Sequence, residues 1–570
     1  MSASRAVRVI TDVAAVDKAF DYLVTPETAH VGIGDRVRID FNNRVVRGWV
    51  LEDVPVSEGL KPLSKWLGFG PPAALLDLVQ WASERWYSPV ARFLISTSPK
   101  RQIASLPQAP APRHLSESLR DGIDQVAPGL YQVAPTTDPL PMILSAYEQT
   151  CDAEGSLLVL VPTESWAQRL RGRLEQRGIA VASGDQEWDR MRAGWPVIVG
   201  ARGTALAPTP KICGAVLIDA DDEAYRSEGA PTWDAFTMVR ERCTRDQAPF
   251  WATSSVPSPD LLSSGAVVLT ANVTSGWPRI EVIDRRTSDP RDGVLSQEVL
   301  LQAHRALAGS EGVAVCVVLQ RLGTGRLFAC KKCGELARCR ICNQGEEEVG
   351  SHLSCPSRHE LRENFCLSCG ATNLKRVRSG VTTLARDVSA QLSQPVSEVT
   401  GQSELDGPLH RVVVGTEAVW QRVRRCALVI FVDFDQYLLA PRESARRSAL
   451  VAVAKAGRLT GARTEGRGAV IVQTRRGEDE VLSALLTGDV TNIVTEDNES
   501  AKLLQIPPYC AQAIVKGEGA ESFCGQLREA GLQVYPTNDE FIVRASTQEE
   551  LSRVLRSSTR PVEKLRVAVR

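Results

Sequence analysis

Hydrophobic positions along the chain change their period several times, and each change marks an element. In the first hundred residues they alternate. VRVIT (7–11), DRVRID (35–40) and VVRGWVLE (45–52) carry β-branched residues at every second position, and IGDRV and FNNR supply turn chemistry between them. This predicts a compact β-rich module. Helical spacing follows in ALLDLVQWASERWY, where Leu75, Leu78, Val79 and Trp86 recur on one face. Pro107, Pro110, Pro112 and the polar HLSESLRDG then break the pattern and predict a linker that ends near Gly129.

From Gly155 the pattern becomes apolar strand, polar helix, apolar strand. SLLVLVP, ESWAQRLRGRLEQRG, PVIVGARG and GAVLIDADDE follow one another, which is the alternation of an open parallel α/β sheet. The strands end at a proline, a glycine and an acidic cluster, and the carboxyl ends of such strands are where α/β sheets carry ligands. A similar series restarts after about Asn272 with EGVAVCVVLQR, HRVVVGTEAVW, CALVIFVDFDQYL and GAVIVQT. Two lobes of this kind, the second interrupted by an insert, are the layout of a helicase-type motor. Beyond about Glu480, QAIVKG and EFIVRA read as strands, and QEELSRVLRSS as a helix before VEKLRVAV.

The insert carries the sharpest chemistry. CKKCGELARCRICNQGEEEVGSHLSCPSRHELRENFCLSC (330–369) holds seven of the 14 cysteines, and Cys330/Cys333, Cys339/Cys342 and Cys366/Cys369 have C-x-x-C spacing. Two thiolates of such a knuckle reach one tetrahedral zinc at about 2.3 Å. Cys355 begins a fourth half-site, but its partner position is Arg358, which keeps its proton and cannot ligate. His359 stands next to it. Two zinc sites are therefore expected, one of four cysteines and one of three cysteines with His359 or, as the alternative, His352. A disulfide cluster would need an oxidising compartment, and a redox C-x-x-C pair normally stands alone at a helix start. Zinc bound in this closed way has a structural role, because no ligand position is left for water.

Composition narrows the picture. At 570 residues the chain exceeds one core, and 43% apolar residues with no bilayer-length apolar run fit a globular protein. No secretory leader reads from MSASRAVRVI, so a cytoplasmic location without membrane contact is expected. A formal net charge of −1 argues against non-specific coating of nucleic acid. Locally, residues 321–378 carry 11 Lys or Arg against 6 Glu, an excess that suits a phosphate-facing surface or a solvated one equally.

Taken together the chain resembles the PriA family of bacterial replication-restart primosomal proteins along nearly its full length. The resemblance is carried by the cysteine insert, AFDYLV (19–24) with GDRVRI (34–39), VIVGARGTALAP (197–208) and KLLQIPPY (502–509). It implies an α/β fold of two RecA-like helicase lobes with a zinc-binding insertion, preceded by a small β-rich DNA-binding domain and followed by an α+β C-terminal domain. The implied boundaries are a DNA 3′-end-binding domain at 1–104, a linker at 105–128 where the family's winged helix is missing, lobes at 129–271 and 272–480 with the insert at 329–372, and the C-terminal domain at 481–570. It also implies Cys330, Cys333, Cys366 and Cys369 around one zinc, with Cys339, Cys342, Cys355 and a fourth ligand around the other. Phe20, Asp21 and Tyr22 stand where the family contacts a DNA 3′ end.

Carried onto the nucleotide site, the resemblance finds substitutions. The phosphate loop falls on VAPTTDPL (133–140), where Pro139 takes the place of lysine and Leu140 that of the Mg²⁺-binding hydroxyl; Asp138 adds a negative charge, and no glycine remains. Asp219 keeps a Mg²⁺-ligand position, but the water-activating glutamate becomes Ala220. The second lobe's arginine motif reads AKAGRLTG, which keeps Gly457 and Arg458. The expectation drawn is a protein that is not an enzyme and does not bind ATP, with no catalytic residues. Its role would be to recognise stalled or branched forks and support replication restart with other primosome proteins; single-stranded-DNA-binding protein is a further candidate partner. An active ATP-dependent 3′–5′ helicase is the alternative, and a zinc scaffold that binds only protein is a third.

Overall fold

The computed structural model describes the chain except residues 1–4, 14–17, 43, 121, 271–272, 287–291, 310–311, 321–327, 342–343, 350–351, 356–358, 377–380, 402, 404–406, 441, 443 and 538–539. The alternating N-terminal segments form a six-stranded sheet whose long strands, Arg5–Thr11, Ala19–Val24, Arg36–Phe41 and Arg44–Val54, pair antiparallel. Val7, Val9, Tyr22, Val37, Ile39 and Val50 fill its inner face. Gly34 sits in the left-handed region at φ +88°, and a Cβ there would lie 1.8 Å from the Pro71 carbonyl oxygen. Only glycine lets this turn close on the start of the following helix, Ala73–Arg85.

That helix and its neighbour, Val90–Thr97, join three parts of the molecule. Trp49 Nε1 donates to Ser98 Oγ at 2.7 Å, Trp188 Nε1 of the first lobe donates to the Thr97 carbonyl at 2.8 Å, and Gln548 of the C-terminal domain donates to the Arg85 carbonyl at 3.1 Å. The predicted linker does not run free. Leu115 is buried, the Tyr147 hydroxyl donates to the Arg113 carbonyl at 2.8 Å, and both His114 ring nitrogens lie 3.0 Å from carboxylates, those of Glu148 and Asp152.

The two series of apolar runs become two parallel sheets. The first, seven-stranded, has Phe250–Ser254, Ile212–Leu217, Ser156–Leu160 and Val197–Gly200 side by side at its centre. Every residue of Ser156–Leu160 is buried, because helices cover both faces of a parallel sheet and leave no polar side. The second, six-stranded, centres on Ala469–Thr474, Leu428–Phe431, Val315–Val318 and Val412–Gly415. These are the two RecA-like lobes. Helix Ala445–Thr460 covers the second sheet and turns Arg447, Lys455 and Arg458 toward the first lobe.

One expectation about extent changes. Helices Glu480–Thr487 and Thr491–Leu503 bury Val481, Leu482, Leu485, Ile493 and Val494 in the core of the second lobe, so the C-terminal unit begins at Ala511 instead of 481. It is a four-stranded antiparallel sheet, Ala511–Lys516, Gln533–Pro536, Phe541–Ala545 and Arg566–Val569, with helices Ala520–Glu529 and Gln548–Ser557 between strands.

The insert leaves the second lobe after Val315–Val318 and returns before helix Val381–Leu392. It holds a two-stranded ribbon, Phe328–Cys330 with Leu374–Arg376, and a three-stranded one, Glu347–Val349, His352–Ser354 and Leu361–Glu363. Its apolar clusters are small: Ala329 and Leu336 with Leu439, and Phe328, Ala337 and Leu353. So little buried apolar surface does not offset the conformational entropy of ordering the segment.

Candidate nucleic-acid interface, metal centres and interlobe cleft

In strand Ala19–Val24 successive side chains take opposite faces, which separates the three predicted DNA contacts. Tyr22 turns inward, is 4% exposed and donates its hydroxyl to the Asp40 carbonyl at 3.1 Å. It is a core residue, not a DNA contact, and this corrects the expectation for it. Phe20 shares that face but is half-buried near the strand end, its ring 4.8 Å from that of Phe41. Asp21 faces outward, where Arg8 donates to it at 2.8 and 3.3 Å and also reaches Glu52 at 2.6 Å.

Across the insert the fold gathers Cys330, Cys333, Cys366 and Cys369 into one cluster and Cys339, Cys355 and His359 into another. In the first, the Cys330–Cys369 and Cys333–Cys366 sulfurs are each 3.5 Å apart. Zinc–sulfur bonds of 2.3 Å at tetrahedral angles put sulfurs roughly 3.8 Å apart, whereas a disulfide needs about 2.05 Å. The knuckles are shaped by the backbone: Lys332 N–H points to Cys330 Sγ at 3.3 Å, and Ile341 N–H to Cys339 Sγ at 3.4 Å. Burial acts to raise the Cys330 thiol, but the N–H groups of Cys333 and Lys332 outweigh it and bring the thiol to about 7, which favours the ligating thiolate.

In the second cluster His359 Nδ1 lies 3.8 Å from Cys355 Sγ, and His352 is exposed on a strand outside the cluster. Cys342 and Arg358 lie outside the described residues. Both donor sets, soft thiolates and one imidazole in tetrahedral reach, fit a metal ion such as zinc.

Between the lobes lies a cleft of about 1540 Å³ lined by Pro135, Thr136, Thr137, Trp166, Asp222, Lys455 and Arg458 among others. The predicted phosphate-loop residues go three ways. Asp138 turns to Arg173, which binds it through two bonds at 2.8 and 2.6 Å and holds its carboxyl below the usual range. Its negative charge is therefore compensated by Arg173. Pro139 precedes helix Leu140–Thr150, and Leu140 is 3% exposed in the core of the first lobe.

Asp219, at φ +54°, pairs with Arg458 at 2.5 Å, and the Arg458 Nε also donates to the Pro135 carbonyl at 3.1 Å. Ala220 is 4% exposed, and its N–H donates to the Thr253 carbonyl. Asp221 points to Ser254 Oγ and the Ser258 N–H, on the side away from the cleft. Of the run Asp219–Asp222 it is Asp222 that lines the cleft, 2.9 Å from Lys455, and Glu223, Glu228 and Glu417 line it as well. Burial pushes the Asp219 carboxyl up, with Arg458 opposing. Asp222 ends below the usual carboxylate range, because Lys455 and the Ala224 N–H outweigh its burial. Asp222 and Lys455 escaped the sequence reading; the signal available was the three-residue step from Lys455 to Arg458, which puts both on one helix face.

Residues 8–99 match the family model of the PriA 3′DNA-binding domain (3′BD). Replication restart protein PriA of Treponema pallidum is 24% identical over 566 residues, covering 87% of this chain and 84% of that protein. The chain is similar to PriA proteins over most of its length, with the 3′DNA-binding domain at its N-terminal end. PriA of Thermotoga maritima is 24% identical over 427 residues, 68% of this chain and 56% of that protein. Among solved structures, Saccharomyces cerevisiae Dbp5 bound to RNA and ADP BeF3 overlaps 74% of this chain and 99% of its own, at 13% identity and a TM-score of 0.37.

The similarity to PriA proteins corrects the expectation that the chain is not an enzyme. The PriA relatives point to a family of ATP-hydrolysing DNA helicases, and nothing found is a positive sign of lost activity. The physical reason is that substitutions in one loop describe that loop alone, whereas catalysis belongs to the assembled site. Among the described residues no helix is long and apolar enough to cross a membrane.

Proposed function

We propose that this PriA-like chain recognises stalled or branched replication forks through a free DNA 3′ end and supports replication restart with other primosome proteins. The observation that carries the reading is the 3′DNA-binding domain match over residues 8–99, on a module anchored to the first lobe and the C-terminal domain. Asp21 accepts a hydrogen bond from the terminal 3′-OH. A carboxylate offers about four acceptor sites, so the two bonds from Arg8 leave it free to accept another. Phe20, half-buried beside Phe41 near the strand end at Ala19, offers a ring edge to the terminal base. Two zinc ions, one per cysteine cluster, hold the insert. Single-stranded-DNA-binding protein remains a candidate partner, and the site of action is the cytoplasm.

Asp21→Ala is expected to weaken binding to a fork with a free 3′ end by roughly ten- to hundredfold, the worth of one charge-assisted hydrogen bond of about 1.5–3 kcal/mol. Binding to a fork without that end should stay unchanged. Equal losses on both forks in fluorescence anisotropy would remove Asp21 from the contact. A second reading, an ATP-driven helicase, is favoured by the family itself and by the placement of Arg458 against both Asp219 and the Pro135 carbonyl. Steady-state hydrolysis with and without forked DNA, set against Asp219→Asn, tests it: hydrolysis stimulated by the fork and lost in the variant is expected of a helicase, and none in the wild type would remove this reading.

A further inference from the structure

The acidic run Asp219–Asp222 and the helix Ala445–Thr460 belong to opposite lobes, yet they meet charge to charge. Arg447, Lys455 and Arg458 are spaced by eight and three residues, which returns them to one face of the helix. That face pairs Arg447 with Asp221 at 3.8 Å, Lys455 with Asp222 at 2.9 Å and Arg458 with Asp219 at 2.5 Å. None of the six side chains is more than 24% exposed. Shorter-range contacts flank them: the Arg458 guanidinium lies 5.2 Å from the Trp166 ring centre, and Thr136 Oγ1 donates to the Gly276 carbonyl at 2.8 Å.

We propose that these three pairs form an electrostatic latch that fixes the angle between the lobes and opens as a unit when one lobe moves against the other. Buried charges are tolerated only when paired, so separating one pair strands both of its members. Opening therefore requires all three pairs to regain water together. The latch is also reachable. Asp222, Lys455 and Arg458 line the interlobe cleft, so an anionic group that enters it competes with Asp222 and Asp219 for Lys455 and Arg458. Occupancy of the cleft and the angle between the lobes are thereby coupled, because a ligand shifts such an equilibrium through its different contacts in the two states.

Hydrogen exchange on the full chain tests this. In a Lys455→Met, Arg458→Met double variant, amides in 133–137 and 219–225 are expected to exchange at least about tenfold faster, while Ser156–Leu160 and Val315–Val318 stay as in the wild type. Arg458→Lys, which keeps the charge, should stay within about threefold of wild type. An arm that needs no variant uses the wild type at about 1 M salt, where charges exposed by opening are screened within about 3 Å, and the same two segments should speed up selectively. Exchange within about twofold of wild type at both segments, or an equal rise in the lobe cores, overturns the latch. Should the double variant not fold, the salt arm decides alone.

Discussion

Removing metal from the full chain is expected to melt the described strands of the insert, Phe328–Cys330, His352–Ser354, Leu361–Glu363 and Leu374–Arg376, and to leave both lobes folded. The insert's apolar clusters hold only a handful of buried side chains, whereas each lobe buries full strands on both faces. Bound structural zinc supplies an apparent free energy on the order of 10 kcal/mol or more at neutral pH, well beyond what those clusters contribute. Elemental analysis should find about two zinc per chain, and His359→Ala should lower that number toward one while His352→Ala leaves it unchanged. After chelation, hydrogen exchange should become fast across the insert and remain slow in Val315–Val318 and Val412–Gly415. Slow exchange in the metal-free insert, or zinc loss caused by His352→Ala alone, would contradict the assignment.

Breaking one ion pair inside the insert is expected to cost nearly as much as a core cavity. Glu346 is fully buried and Arg362 nearly so; Arg362 Nε donates to both Glu346 carboxylate oxygens at 2.9 and 3.1 Å, and its Nη1 donates to the Phe365 carbonyl at 2.6 Å. The guanidinium also lies over the Phe365 ring at 5.6 Å. This pair ties the strand Leu361–Glu363 to the segment before Glu347–Val349. Glu346→Ala strands a buried cation and should destabilise the insert by about 3–5 kcal/mol, read as a lower urea midpoint for zinc release. The double replacement Glu346→Leu with Arg362→Met removes both charges and should recover most of that loss. A single variant within about 1 kcal/mol of wild type would mean that the pair is relaxed by water.

How far the molecule could be read beforehand follows from the range of each interaction. The cysteine knuckles are local, so their spacing is legible in the sequence, whereas which histidine lies near Cys339 and Cys355 depends on the fold of one short ribbon, and it is His359. The lobe strands were legible because a strand buried on both faces must be apolar throughout. The parity of Phe20, Asp21 and Tyr22 is equally local; what alternation alone left open was which face was the core, and Tyr22 took it. Asp138 with Arg173, and Asp222 with Lys455, join residues far apart in the chain, and no periodicity reports such partners. Helices Glu480–Thr487 and Thr491–Leu503 show an apolar stripe in the sequence, but a stripe does not name the surface it will cover. The functional error had the same root: the phosphate-loop residues were judged in their own segment, away from the cleft that both lobes build.

The central claim is that a free 3′ end is what this chain reads at a fork. Its most direct measurement is the wild-type dissociation constant for two forks that differ only at the nascent leading strand, one ending in 3′-OH and the other in 3′-phosphate. The phosphate removes the donor offered to Asp21 and adds charge beside a carboxylate, so weaker binding by about tenfold or more is expected. Equal affinity for the two forks would contradict the account.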